Sequence, residues 1–350
     1  MSSPAVPRIE LAPGYDVSRV IHGGWQLSRG HRPAAVDADA ALSTLSRLAD
    51  AGFTTFDCAD IYTGVEELLG RLASRRSAEA GGSIQTHTKF VPDAGALASI
   101  SKRYVERIID RSLRRLGVEC LDLVQFHWWD YAVPGYVETA SWLDELRREG
   151  KIRLLGVTNF DVPHLEEILG AGVEIVSNQV QYSLLDRRPQ RGMSDLCARS
   201  GIRLLCYGAL AGGFLSGRYL GRGEPVEPLA NRSLVKYRLI VEEFTGWPAL
   251  QELLAALDEV ASKHGVSVAN VAVRWTLDRP GVGAVIVGVG GDYLADTLRL
   301  FDFRLDDDDR QRLDEVLEKY PGPEGDVYSV ERVPGGRHAV VMRTGLNQEP

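Results

Sequence analysis

Four residues of this chain have the types and placement for proton-transfer chemistry. Asp57 and Tyr62 lie in Phe56-Asp57-Cys58-Ala59-Asp60-Ile61-Tyr62, Lys89 lies toward the end of the run 83–90, and His127 follows Leu121-Asp-Leu-Val-Gln-Phe126. A phenol has an ordinary pKa near ~10, too high for ready donation at neutral pH, and an ammonium within ~4–6 Å lowers it. A carboxylate such as Asp57 holds that ammonium charged and in place, and a neutral imidazole hydrogen-bonds a carbonyl oxygen. Together they make a supported general acid, suited to protonating an oxygen as hydride reaches its carbon. Singly, each has an ordinary explanation: a half-buried tyrosine, a surface lysine, a hydrogen-bonded core histidine. Their recurrence at successive strand ends is what packing alone does not explain.

Those strand ends come from an alternating pattern. Apolar runs predict strands over 17–25, 53–58, 83–90, 121–127, 152–160, 173–179, 202–210 and 283–289. Helical spacing predicts helices over 39–51, from Val65 through Leu72, and over 101–116, 135–149, 161–169, 189–200 and 292–301, with two more in 248–277 divided near Gly265. Eight strands alternating with helices predict an α/β fold, a (β/α)8 TIM barrel, whose chemistry sits where strands end. A doubly wound open sheet competes, but no GxGxxG follows the first strand. Pro13-Gly14 predicts an N-terminal hairpin, and 211–247 reads as a long loop after the seventh strand. The tail opens on Asp306-Asp307-Asp308-Asp309, which reads as a solvated helix start and not as a metal site. The expected organisation is a barrel over 9–305 with a helix and tail over 306–350 packed on or near it.

Composition narrows the function classes. With 350 residues, 44% hydrophobic and 25% charged, the chain is of globular type, and a net charge of −8 gives no general attraction to nucleic acid or anionic membrane. Cys58, Cys120, Cys197 and Cys206 lack metal-ligand spacing and read as small hydrophobes of a reducing compartment. No apolar stretch reaches ~18 residues and no basic–apolar leader opens the chain, so a cytoplasmic protein is expected.

The ordered set Asp57/Tyr62, Thr88-Lys89 and Phe126-His127-Trp128 resembles the catalytic tetrad of the aldo-keto reductase superfamily. Gly23-Gly24-Trp25, Gly156-Val-Thr158-Asn159-Phe, Asn178-Gln179-Val-Gln-Tyr and Tyr207-Gly208-Ala-Leu210-Ala-Gly212-Gly-Phe-Leu-Ser-Gly-Arg218-Tyr219 are similar to further motifs of that family. The resemblance implies a barrel binding NADP(H) without a Rossmann domain. It implies a reaction interconverting an aldehyde, ketone or sugar carbonyl and an alcohol, with Tyr62 as proton donor, Lys89 and Asp57 tuning it and His127 positioning the carbonyl. By the same resemblance Gly24 and Trp25 approach the nicotinamide, Thr158, Asn159 and Gln179 hold its carboxamide, and Tyr207 stacks on it. Gly208, Leu210 and Gly212 lie over the diphosphate, and Gly288, Asp296 and Thr297 mark the adenosine end.

Two departures stand out. Gly208-Ala209 replaces the family's Ser-Pro, and 287–297 offers no basic residue to a 2′-phosphate. Both NADP(H) and NAD(H) therefore stay open, with Arg218 or Arg222 as substitute cations. Trp25, Trp128 and Trp129, with Tyr131, suggest an aromatic substrate pocket for a small molecule. A dinucleotide-binding regulatory subunit with little turnover is the alternative reading.

Overall fold

The computed structural model describes residues 6–29, 31, 36–79, 81–289 and 293–347. Gly14, at φ +69°, turns the chain between β1 (Arg8–Ala12) and β2 (Tyr15–Ser18), which pair antiparallel. Eight parallel strands follow: β3 (Val20–Gly23), β4 (Thr55–Asp57), β5 (Gln85–Phe90), β6 (Leu121–Phe126), β7 (Ile152–Thr158), β8 (Ser177–Gln181), β9 (Arg203–Tyr207) and β10 (Val282–Gly288). They pair in chain order, and β10 returns to β3 through Val285–Val20 and Ile286–Ile21, closing the barrel. The predicted (β/α)8 fold is the observed one. The run predicted as one strand over 17–25 is divided, however. Its first residues belong to the hairpin, Val20–Gly23 to the barrel, and Gly24–Leu27 to a 3-10 turn.

Successive strand residues point to opposite faces, and this parity builds the core in two parts. On β6, Val124 and Phe126 face the surrounding helices, whereas Leu123 faces inward. Inside the barrel Leu123, Leu205, Ala284 and Ile286 meet Leu11, Tyr15 and Val17 of the hairpin, which covers one end. Outside, amphipathic helices such as Ala38–Asp50 and Lys102–Leu116 bury Leu42, Leu45 and Leu48 or Val105, Ile108 and Ile109. Each fully buried side chain of this size contributes about 1.5–3 kcal/mol relative to exposure.

The predicted loop over 211–247 is corrected by the structure. Arg232–Glu243 is a helix, capped by the Asn231 carboxamide, which accepts from the Leu234 N–H at 3.0 Å. It buries Leu234, Tyr237, Ile240 and Val241, a helical stripe masked in the sequence by the Gly/Pro-rich residues before it. The aspartate run starts helix Asp307–Leu317. Asp306 and Asp309 form a capping box, and Lys263 Nζ bonds both carboxylates at 2.6 and 2.8 Å.

Beyond that helix the tail crosses the barrel. Arg188 is buried between Asp186 and Glu331, with Nη2 to Asp186 Oδ2 at 2.6 Å and Nη1 to Glu331 Oε2 at 2.8 Å. Near the other end of the tail, Asn347 Nδ2 donates to Asp60 Oδ2 at 3.2 Å and to the Val91 carbonyl. Its backbone N–H reaches Asp93 Oδ1 at 2.9 Å. Among the described residues no helix is long and apolar enough to cross a membrane.

Candidate active site

The strand ends opposite the hairpin open into a cleft of about 1160 Å³, walled also by helix Arg232–Glu243 and by the tail. Parallel strands end together on this rim, so residues far apart in the chain converge there. Asp57 ends β4, Lys89 sits one residue before the end of β5, and His127 directly follows β6. Tyr62 enters from the turn leading to helix Val65–Ala78, its N–H bonded to the Ala59 carbonyl at 2.9 Å. All four line the cleft.

Lys89 Nζ donates to Asp57 Oδ2 at 2.6 Å and to the Cys58 carbonyl at 2.7 Å. It also stands 5.1 Å from the centroid of the Tyr62 ring. Burial alone would depress the lysine pKa, but Asp57 and Tyr62 outweigh it and the net shift is upward, so the ammonium stays charged. The other Asp57 oxygen is held by two amides: Oδ1 accepts from Gln125 Nε2 at 3.0 Å and from Gln179 Nε2 at 2.6 Å. Gln125 escaped the sequence reading. Strand parity was the available signal, since it lies two residues before His127 and so shares its face.

The expectation that Lys89 lowers the Tyr62 pKa is corrected in its net sign. Burial raises the phenol above its ordinary value, and the lysine only opposes this. Desolvation of a phenolate in this pocket outweighs one ammonium placed over the ring.

His127 is buried and neutral. Burial, with Arg332 and Lys236 assisting, pushes its pKa down to about 3, against a hydrogen bond to Thr158. Its Nδ1 lies 3.1 Å from the Thr158 carbonyl, and its Nε2 is buried with no partner among the described residues. Trp129 and Tyr328 meet the ring edge-on at 4.4 and 5.6 Å.

The remaining expected residues divide. Trp25 stands 5.1 Å from Tyr62, and Trp129, its Nε1 bonded to the Pro92 carbonyl at 2.7 Å, walls the cleft. Trp128, expected in the substrate pocket, is instead core. Alternation turns it away from His127, and its Nε1 donates to the carbonyls of Asp130 and Val133 at 3.0 and 3.1 Å. Gly24 is likewise behind the surface, with Gly23 lining the cleft. A Cβ on Gly24 would come within 2.5 Å of Val65 Cγ1 and 3.3 Å of the Asp57 carbonyl, so the close approach of turn and helix requires glycine.

Thr158, Asn159, Gln179, Tyr207, Gly208, Leu210, Gly212 and Gly288 all line the cleft. Asn159 adopts φ +62° and accepts the Tyr207 hydroxyl on Oδ1 at 2.8 Å. Gly212, at φ +67°, leaves the space where a Cβ would sit 2.9 Å from the Tyr237 ring. Asp296 and Thr297 line it too; the Asp296 carboxylate accepts from Ser267 Oγ at 2.8 Å and Asn270 Nδ2 at 3.1 Å, and Thr297 donates to the Tyr293 carbonyl at 2.9 Å. Gly290, Gly291 and Asp292 of the stretch read as lacking a basic residue lie outside the described residues. Arg218 lines the cleft; Arg222 does not.

A sequence model of the Aldo/keto reductase family matches residues 19–318. The chain is 28% identical over 317 residues to an aldo-keto reductase of Bacillus subtilis, covering 87% of this chain and 91% of that one. It is 30% identical over 290 residues to the chloroplastic pyridoxal reductase of Arabidopsis thaliana, covering 77% and 74%. Flagellar radial spoke protein 5 of Chlamydomonas reinhardtii is 32% identical over 297 residues, 68% of this chain, but the match spans only 56% of that longer protein. In fold, a glycerol dehydrogenase from Gluconobacter oxydans superposes with a TM-score of 0.74 at 24% identity, covering 93% of this chain and 98% of that one. The chain therefore belongs to the aldo/keto reductase family and is an NAD(P)-dependent oxidoreductase.

Proposed function

We propose that the protein interconverts a small aldehyde or ketone and the corresponding alcohol, with Tyr62 as general acid in reduction and general base in oxidation. The observation that carries this is the convergence of Tyr62, Lys89, Asp57 and His127 on one cleft. Lys89, held charged by Asp57, stabilises the tyrosinate that proton transfer leaves behind. Gln125 and Gln179 fix Asp57 in turn. With Nδ1 committed to Thr158, His127 is held in one orientation beside Tyr62, its Nε2 lone pair left for a donor other than the proton that Tyr62 transfers. Trp25 and Trp129 flank the reacting group. The barrel over 9–305 is read as the reductase unit, and 306–350 as the extension completing its wall.

The cleft fits a nicotinamide dinucleotide: it exceeds the ~300–1,000 Å³ of ordinary small-ligand pockets. Arg218, Arg232 and Arg343 on its walls suit phosphate oxygens. When bound, NAD(P)H supplies the hydride. Thr158, Asn159 and Tyr207 would hold the nicotinamide. Gln179 would help through Oε1, its Nε2 being engaged by Asp57. Gly208, Leu210, Gly212 and Gly288 would flank the diphosphate and ribose, with Asp296 and Thr297 toward adenosine. Free thiols at all four cysteines, three of them buried, support the cytoplasmic reading.

Titration with NADPH and NADH by nicotinamide fluorescence, followed by aldehyde-dependent oxidation of whichever binds, tests this. Binding with turnover is expected; binding without turnover would make the chain a dinucleotide-binding subunit.

A further inference from the structure

One cation on the cleft wall takes no part in the proton-transfer set. Lys236, half-buried on helix Arg232–Glu243, lines the cleft. Its Nζ lies 4.8 Å from the ring centroid of Tyr207, 5.5 Å from Tyr237 and 5.8 Å from Tyr328. It donates to no oxygen or nitrogen of the described residues. Three phenol faces attract a cation, but an ammonium carries three N–H donors, and poorly hydrated donors are unfavourable until acceptors meet them. Burial accordingly lowers its pKa, with Glu331 opposing.

Glu331 is not free to neutralise it, because both terminal nitrogens of Arg188 hold that carboxylate. Arg332 adds a further cation. Its guanidinium lies 4.1 Å from the Tyr131 ring and 5.0 Å from Tyr328, Nη2 donates to the Trp128 carbonyl at 2.9 Å, and Nε and Nη1 are buried without partners among the described residues. Lys236, Arg188 and Arg332 against Asp186 and Glu331 leave this wall one positive charge in excess. The excess is felt at His127, whose imidazolium form both Lys236 and Arg332 disfavour. The Tyr328 ring neighbours both groups, 5.8 Å from Lys236 Nζ and 5.6 Å from the His127 ring.

We propose that Lys236 sets substrate specificity by recognising an anionic group, a carboxylate or phosphate, carried on the carbonyl substrate. The proposal rests on the reductase reading above. The phosphates of the dinucleotide are the other source of the same chemistry, and the test separates the two.

Wild type, Lys236→Met and Lys236→Arg are compared with 4-carboxybenzaldehyde and its uncharged counterpart 4-formylbenzamide. Binding of 4-(hydroxymethyl)benzoate, NADPH and NADH is measured in parallel by tryptophan fluorescence. In Lys236→Met, KM for the carboxylate aldehyde should rise by ~10–100-fold, the range for a lost hydrogen bond to a charged group, while kcat moves far less. The rise for the amide should be at least tenfold smaller, and Lys236→Arg should restore most of the preference. Equal rises for both aldehydes would overturn the proposal, since shape would then be what was lost. Weakened dinucleotide binding with the carboxylate preference intact would also overturn it and assign Lys236 to the cofactor. If neither aldehyde is turned over, the reductase reading falls, and the benzoate binding decides alone: weaker binding in Lys236→Met sustains the anion site, unchanged binding refutes it.

Discussion

His127 Nδ1 stands 3.1 Å from the carbonyl oxygen of Thr158, and that oxygen can only accept. Nδ1 therefore carries the proton, and the neutral ring turns a lone pair, not an N–H, toward the cleft. Nitrogen NMR of histidine-labelled protein should show the Nδ1–H form at His127 with no titration between pH 5 and 9. An Nε2–H form, or a midpoint near 6.5, would contradict this.

Three buried histidines should make the fold acid-sensitive. Burial lowers His22 to about 4 and His87 and His127 to about 3. Their folded values lie below the unfolded ~6.5, so the unfolded chain binds more protons as pH falls. Stability is then full above pH ~6.5 and declines toward pH 4, by on the order of 2 kcal/mol per histidine at pH 5. Urea melts across pH 5–7.5 measure this, and His22→Leu should flatten the slope. A stability curve independent of pH in this window would refute it.

Tyr62→Phe removes the proposed donor and keeps the ring over which Lys89 sits. Turnover should fall by ~10²–10⁴, the usual contribution of a general acid, with dinucleotide affinity nearly unchanged. Steady-state rates beside fluorescence titrations check both, and undiminished turnover would remove Tyr62 from its role.

Asn347→Leu tests whether the tail is a working wall of the cleft. The amide answers Asp60, the Val91 carbonyl and Arg111, all in buried surroundings. Losing it should cost about 1–3 kcal/mol for each group left unsatisfied, and loosen the segment carrying Met342 and Leu346 into the cleft. The expected result is a lower Tm together with a raised KM. A change in neither would show the tail to be incidental.

At the proposed adenosine end, Asp296 is held as a carboxylate acceptor by Ser267 and Asn270. An anion there disfavours a 2′-phosphate. Asp296→Asn should therefore improve NADPH affinity relative to NADH by several-fold, an effect that shrinks at high salt. Competitive titration at two ionic strengths reads it; an unchanged ratio would place the 2′-phosphate elsewhere.

Much of this molecule was legible one residue at a time. Alternating strand and helix periods are local properties, so the barrel, its hairpin and the strand-end positions of Asp57, Lys89 and His127 followed from the chain directly. The alternation of β6, carried past its end, points to the answer to a misreading: with His127 inward, Trp128 lies in the core and Trp129 on the cleft. Helix Arg232–Glu243 had its apolar stripe in plain sight, hidden only by the glycines before it.

Folding supplied the rest because contact across large sequence separation leaves no local pattern. Asp60 meets Asn347 across 287 residues, Arg188 meets Glu331 across 143, and Lys236 gathers rings from β9, its own helix and the tail. The upward shift of Tyr62 has the same kind of origin. Residue types specify which charges are present, but only the packed chain sets how much water they lose, and desolvation depends on every neighbour at once.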